Sequence, residues 1–244
     1  MSDYKIVLRD GKGKTTTKKT VAIIGAGMVG QAVARVLGQL GHDVRLANSR
    51  GKKHVSYVAS AWGATPVDVS EAANGADIVI LAIPYPIRDE VLTTLQAAPG
   101  TIIVDPTNYW EPRDGEALQP KPGEATTWSV AKRWPSLRFV KTLNLLFFEL
   151  LKELARPDLP DAERTAIPIA ADDADAKRAV ARLLREIGFA AVDCGPLSTS
   201  NCMSHGSSLF SYCMDLGKAP DVPTAFEHLK KNGISGKLAL DEVS

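Results

Sequence analysis

The chain reads as an α/β protein in which a doubly wound, mainly parallel sheet is followed by a smaller C-terminal α/β unit. Three observations lead there. Short apolar runs alternate with amphipathic helical segments from residue 21 onward, the first run opens into Gly25-Ala26-Gly27-Met28-Val29-Gly30, and a Pro- and Asp-rich stretch at 156–161 precedes a second such unit. Strands alternating with helices in this rhythm imply right-handed crossovers and a sheet covered on both faces.

Val21-Ala22-Ile23-Ile24 is apolar throughout, as a strand buried on both faces requires. Val29, Val33, Val36, Leu37 and Leu40 then recur at helical spacing, and Gly41 ends the helix. Residues 44–47 form a strand that stops at Asn48-Ser49-Arg50, 52–62 a helix, and 65–67 a short strand. The strand at 76–83 is broken by Pro84-Tyr85-Pro86, Ile87, Val91 and Leu95 mark a helix, and 101–105 is another buried strand. Residues 107–125, rich in Pro, Gly and charge, read as a loop, 128–134 as a helix, 138–143 as a strand and 145–155 as a helix.

Beyond the break, 165–170 is a strand, and Asp172, Asp173 and Asp175 suit the positive start of a helix. Val180, Leu183, Leu184 and Ile187 form the apolar face of that helix, and 190–194 is a further strand. Residues 200–216 are expected to be helical. The expected organisation is a basic arm at 1–20, a nucleotide-binding domain at 21–155, a linker at 156–164 and a small α/β domain at 165–244.

Composition narrows the function classes. The 244 residues carry 29 Lys plus Arg against 28 Asp plus Glu, so the net charge of +1 gives no case for a nucleic-acid partner. Lys5, Arg9, Lys12, Lys14, Lys18 and Lys19 make the N-terminal arm basic, which fits a solvated segment. The longest apolar stretch, 143–151, is interrupted by Asn144 and Glu149 and falls short of the ~20 residues of a membrane span. The start of the chain lacks the apolar core of a signal peptide, and three cysteines without disulfide-like spacing fit a reducing compartment. A cytoplasmic location with no membrane partner is expected.

The glycine loop carries the chemistry. Between a buried strand and an amphipathic helix, Gly25 permits the tight turn, Gly27 lets a pyrophosphate approach the backbone, and Gly30 allows close packing of helix on strand. Free amides at the helix start then hold the diphosphate, with Ala26, Met28 and Val29 completing the loop. This is the Rossmann-type dinucleotide site. An NAD site places Asp or Glu at the end of the second strand, whereas this chain offers Asn48, Ser49 and Arg50. Without a carboxylate there, a 2′-phosphate is not repelled; Asn48 and Ser49 donate to it, the Arg50 fork suits its oxygens, and Lys53 with Lys52 and His54 adds positive potential. NADP(H) is expected over NAD(H). Ala82-Ile83-Pro84 and Asp105-Pro106-Thr107-Asn108, at the carboxyl ends of other strands, should line the nicotinamide half.

These residues, together with Tyr109, Val140-Lys141-Thr142-Leu143-Asn144, Ala171-Asp172-Asp173 and the stretch from Gly188-Phe189 to Asp193-Cys194-Gly195-Pro196-Leu197, resemble the NADPH-dependent coenzyme F420 reductase family. The resemblance runs from Val21 to about Leu216. It implies a Rossmann domain with a small C-terminal domain, a cleft between them, and hydride transfer between NADPH and the deazaflavin F420, usually in a homodimer. The residues after Leu197, with Asn201, His205 and Tyr212, follow no deazaflavin pattern, so another small-molecule redox partner (a flavin, ferric iron, a small carbonyl or an imine) stays open, as does a non-catalytic NADP(H)-sensing role.

Hydride transfer relies on proximity and orientation, so no triad or carboxylate pair is needed. If a proton donor is required, His205 is the candidate, since it follows the Gly195-Pro196 turn expected to face the cleft. Phe147 and Phe148 read as core or dimer contacts. No metal site is expected. On a helix, Cys202 and His205 share a face, but Cys213 lies about 16 Å along from Cys202 at the standard rise.

Overall fold

A computed structural model of the chain describes residues 18–240. The basic arm, up to residue 17, lies outside the described residues. Among the described residues nine strands form one sheet: β1 (Thr20–Ile24), β2 (Asp43–Ala47), β3 (Thr65–Pro66), β4 (Ile78–Leu81), β5 (Ile102–Asp105), β6 (Arg138–Lys141), β7 (Ala166–Ala171), β8 (Ala190–Asp193) and β9 (Lys237–Leu238), in the order β3-β2-β1-β4-β5-β6-β7-β8-β9. Pairs among β1 to β6 are parallel, with Ile24 level with Ala47 and Leu81 at their carboxyl ends. This is the Rossmann-type architecture the apolar runs predict.

Alternate residues of the strands face two cores. Val21, Ile23, Val44, Leu46, Ile78 and Ile80 pack on one face and Ala22, Ile24, Val79, Leu81 and Ile103 on the other. Both sets are apolar because helices cover both sides. Helix α1 (Met28–Gln39) buries Val33, Ala34 and Leu37 against the first face. Helices α2 (Lys52–Ala61), α3 (Val69–Ala72), α4 (Arg88–Leu95), α5 (Glu111–Asp114), α6 (Thr126–Arg133) and α7 (Leu150–Glu153) follow in the first half of the sheet. Helix α8 (Ala174–Ile187) is capped by Asp173, which accepts from the Ala176 amide at 2.7 Å, and its Val180, Leu184 and Ile187 join the same core as α1. The short α9 (Ser208–Phe210) and α10 (Val222–Lys230) close a third core over β7 and β8.

The step from β6 to β7 is antiparallel and shares two pairs, Val140 with Ala171 and Lys141 with Ala170. Residues 166–169 therefore run on past the carboxyl end of β6, and the C-terminal strands overhang the edge where β1, β4 and β5 also end. The segment expected to be a linker, 156–164, is tightly bound. The Arg156 amide donates to Gly188 O at 2.9 Å, and the buried Arg164 guanidinium donates to the Leu159, Arg185 and Pro157 carbonyls. One sheet and one core pass through this division of the chain.

Two expected helices are corrected. Only Leu150–Glu153 of 145–155 is helical: Asn144 is held by Asn108 and Met203, and the chain after it runs through tight turns in which the Leu150 and Leu151 amides donate to Phe147 O and Phe148 O. Within 200–216 the chain forms a 3₁₀ stretch (Leu197–Met203), a turn at Gly206, α9 and one π turn (Ser211–Asp215). Among the described residues no helix is long and apolar enough to cross a membrane.

Candidate active site

The β1–α1 turn is closed on two sides and open on the third. A Cβ on Gly25 would stand 2.0 Å from Ala82 O, and one on Gly30 would stand 1.8 Å from Gly25 O. The turn thus lies against β4 and α1 lies against the turn at distances only glycine allows. At Gly27, by contrast, a Cβ would meet nothing within 4 Å. Gly27 is the N-cap of α1 without any side-chain cap, so the first amides of a twelve-residue helix keep their hydrogens for an anion. Met28 and Val29 stand exposed beside it, while Ala26 O accepts from Gln31 Nε2 at 2.9 Å. This cradle fits a pyrophosphate.

At the end of β2, Asn48 Oδ1 accepts from the Arg50 amide at 3.0 Å, a local turn that leaves the Arg50 side chain exposed. Among the described residues its guanidinium engages no partner. Ser49, Lys52, Lys53 and His54 are exposed around it. Sequence reasoning missed one group here: Asp68 reaches over from the start of α3, and its Oδ1 accepts from the Lys52 amide at 2.8 Å. Its charge sits at the N-terminus of α2, against four basic side chains on the turn.

The polar groups at the strand ends further along are engaged within the protein. Ala82 packs behind the glycine turn, Ile83 joins the second core, and Pro84 is exposed before α4. Thr107 is not free to serve a ligand through its hydroxyl. Its N–H and Oγ1 both donate to Asp105 Oδ1, at 2.9 and 2.6 Å. Asn108 is likewise bound, donating to Asn144 O at 2.6 Å and accepting from Asn144 Nδ2 at 2.9 Å. Asn144 Nδ2 also donates to Met203 O at 2.8 Å, so one amide joins the β5 loop, the β6 exit and the C-terminal unit.

Behind them lies a charged network that the sequence did not disclose. Asp105 is fully buried, and its Oδ2 accepts from Arg88 Nη1 at 2.8 Å and from Thr127 Oγ1 at 2.7 Å. Lys141, only 2% exposed, donates to Thr107 O. Burial works against ionising Asp105, but Lys141, Arg88 and the threonine hydrogen bonds outweigh it and hold the carboxyl well below the usual range. Burial pushes the Lys141 amine down to about 8, against the pull of Asp105.

Lys141 and Thr107 form the inner end of a cavity of about 610 Å³. One wall comes from residues 107–112, 119–124 and Thr126, including Tyr109, Trp110 and Lys121, and the other from Asn201, residues 204–207 and Asn232. His205 is on this wall, exposed, with its ring 5.2 Å from that of Phe210. Tyr85 meets Tyr109 edge to face at 5.8 Å, under the Arg88 guanidinium. The volume suits a ligand of cofactor size. Cys194, Cys202 and Cys213 are all buried and unpaired.

A dinucleotide cradle on one edge of a Rossmann sheet, with a roomy cavity two strands further along that edge, defines a nucleotide-dependent oxidoreductase. Residues 20–109 match the family described as NADP oxidoreductase, coenzyme F420-dependent. A hypothetical protein from Sinorhizobium meliloti is 31% identical, with 78% of this chain and 92% of that one covered and a TM-score of 0.64. A protein assigned as an F420-dependent NADP-reductase, from Arthrobacter sp. FB24, is 25% identical over 82% of this chain and 95% of its own, with a TM-score of 0.67. An imine reductase from Myxococcus stipitatus, in complex with NADP+, shares the fold at 20% identity and a TM-score of 0.58, over 81% of this chain and 61% of its own. The chain belongs to the coenzyme F420-dependent NADP oxidoreductase family and is an NADP-dependent oxidoreductase.

Proposed function

We propose that NADPH lies along the carboxyl ends of β2, β1 and β4 and faces an F420-type deazaflavin held in the cavity between the 107–126 loop and the C-terminal unit. The observation that carries this reading is the glycine turn, shut at Gly25 and Gly30 and open at Gly27 over an uncapped helix start. Met28 and Val29 flank the diphosphate, and Asn48, Ser49, Arg50 and Lys53 receive the 2′-phosphate. Bound NADPH supplies a hydride, and the protein aligns the two rings. The deazaflavin is supported by the family description, by the name of the Arthrobacter relative, and by a cavity with Tyr109 and Trp110 on its wall.

A carbonyl or imine acceptor is the second reading. It is favoured by the imine reductases that share the fold, among them the Myxococcus stipitatus enzyme in complex with NADP+. Isothermal titration with NADPH and NADH tests the first half of the proposal. Arg50→Ala should cost NADPH about 1.5–3 kcal/mol, the value of a charge-assisted hydrogen bond, and leave NADH nearly unchanged. Equal loss for both would make Arg50 structural. NADPH oxidation followed with oxidised F420, a flavin, ferric iron and small carbonyls and imines tests the second half. Turnover with another acceptor and none with F420 removes the deazaflavin.

A further inference from the structure

We propose that Lys141 is the proton source that accompanies hydride transfer in the cavity. The inference rests on the functional reading above, and deepens it by restricting the acceptor. The compound reduced must carry a heteroatom conjugated to the carbon that receives hydride, whether a deazaflavin ring nitrogen, a carbonyl oxygen or an imine nitrogen.

Buried charge is unbalanced at the close of β5 and β6. Arg88 and Lys141 are two cations around one anion, Asp105, and all three side chains are out of water. The Arg88 guanidinium cannot lose its proton and is bound directly to the carboxylate at 2.8 Å. Lys141 carries the surplus charge, and a surplus buried charge is the one that low-dielectric surroundings expel. Its amine makes one hydrogen bond among the described residues, to Thr107 O. An ammonium has three donors, and this one lies at the inner end of the cavity. The groups that face it are Asp105 from β5 and Arg88 from α4; the other charged or titratable groups lining the cavity are Tyr109, Glu111, Lys121 and Glu124 on one wall and His205 on the other. Paired Ala170 on β7 brings no charge.

The C–H bond of the reduced nicotinamide breaks and its electron pair forms a C–H bond on the acceptor carbon. The acceptor's π pair moves to the conjugated heteroatom, which takes a proton from Lys141 Nζ. The neutral amine left behind is recharged from water entering the cavity. His205, expected from the sequence to fill this role, is solvated on the opposite wall, where water competes with it as a proton source.

The test uses lysine labelled with ¹³C and ¹⁵N, the Lys141 signal being the one absent from Lys141→Arg. In the free protein that signal should titrate within about a unit of pH 8; titration above pH 10 overturns the proposal. With whichever acceptor the panel yields, wild-type kcat should fall as pH rises through the same value. Lys141→Arg keeps the charge and the bond to Thr107 O but holds its proton, so kcat should drop ~10²–10⁴-fold with KM little changed. Lys141→Met serves as a second variant, with a drop of the same order, should arginine unfold the protein. A variant that keeps wild-type kcat and pH profile makes Lys141 a strut for the Thr107 loop and overturns the assignment alone. No turnover by wild type with any acceptor overturns the functional reading, and the assignment with it.

Discussion

The two ends of the catalytic edge are built on opposite plans. At the β1–α1 turn and the close of β2, polar groups point outward and, among the described residues, have no partners: the amides after Gly27 and the Arg50 guanidinium. At the close of β5 and β6, nearly every polar atom is bound within the protein, with both Asp105 oxygens accepting two hydrogen bonds each. An anion-binding loop gains by leaving donors free, because a ligand completes them. A buried ionic cluster must be satisfied before any ligand arrives, because a lone charge there is costly. On the proposed reading, the exposed donors grip the nucleotide and the satisfied cluster frames the cavity.

The contrast is broken most severely by Asp105→Asn. Removing the anion leaves Arg88 and Lys141 as uncompensated buried cations, and a loss of about 3–5 kcal/mol in urea denaturation is expected. A loss below about 1 kcal/mol would mean that water reaches the cluster. Next comes the pH dependence. Lys141 has a folded pKa of about 8, below its unfolded value, so its charged form opposes folding. That cost is fully present below pH 8 and is relieved as pH rises from 8 to about 10.5. Stability of wild type relative to Lys141→Met should rise by roughly 1–3 kcal/mol over this window. Asp105 has the opposite sign. Its folded pKa is depressed, so its contribution holds above the ordinary carboxylate range and disappears only toward strong acid.

Gly30→Ala should follow, at about 1–3 kcal/mol of stability, since its Cβ would overlap Gly25 O. The smallest stability effect sharpens the comparison most. Gly27→Ala adds a methyl into open space at an ordinary φ of −75°, so melting should move by no more than about 0.5 kcal/mol. NADPH affinity measured by calorimetry should nevertheless fall tenfold or more, because the methyl occupies the line of approach of the diphosphate. Unchanged affinity would place the nucleotide elsewhere.

The sheet was legible because β1, β4 and β5 are unbroken apolar runs bounded by Gly, Pro or Asp. The glycine turn was legible because each glycine has a local geometric reason. The ionic cluster was not. Arg88 and Asp105 are 17 residues apart, and Arg88 occupies the first turn of a helix where Arg is ordinarily solvated. Lys141 did carry a signal, an ionisable residue closing an apolar strand between Val140 and Thr142, where burial forces it to find a partner. The 3₁₀ and π turns of 197–215 also escaped. Leu209, Phe210 and Cys213 mimic a helical face, whereas the chain actually breaks at Gly206.

The two-pair antiparallel joint between β6 and β7 has an evolutionary consequence. Because the turns carried by the overhanging strands, at 201–207, furnish one side of the cavity while the glycine turn is built from residues before 84, mutations accumulating after residue 165 can reshape the cavity and leave the glycine turn as it is. Such a layout lets a lineage swap customers without renegotiating its supplier.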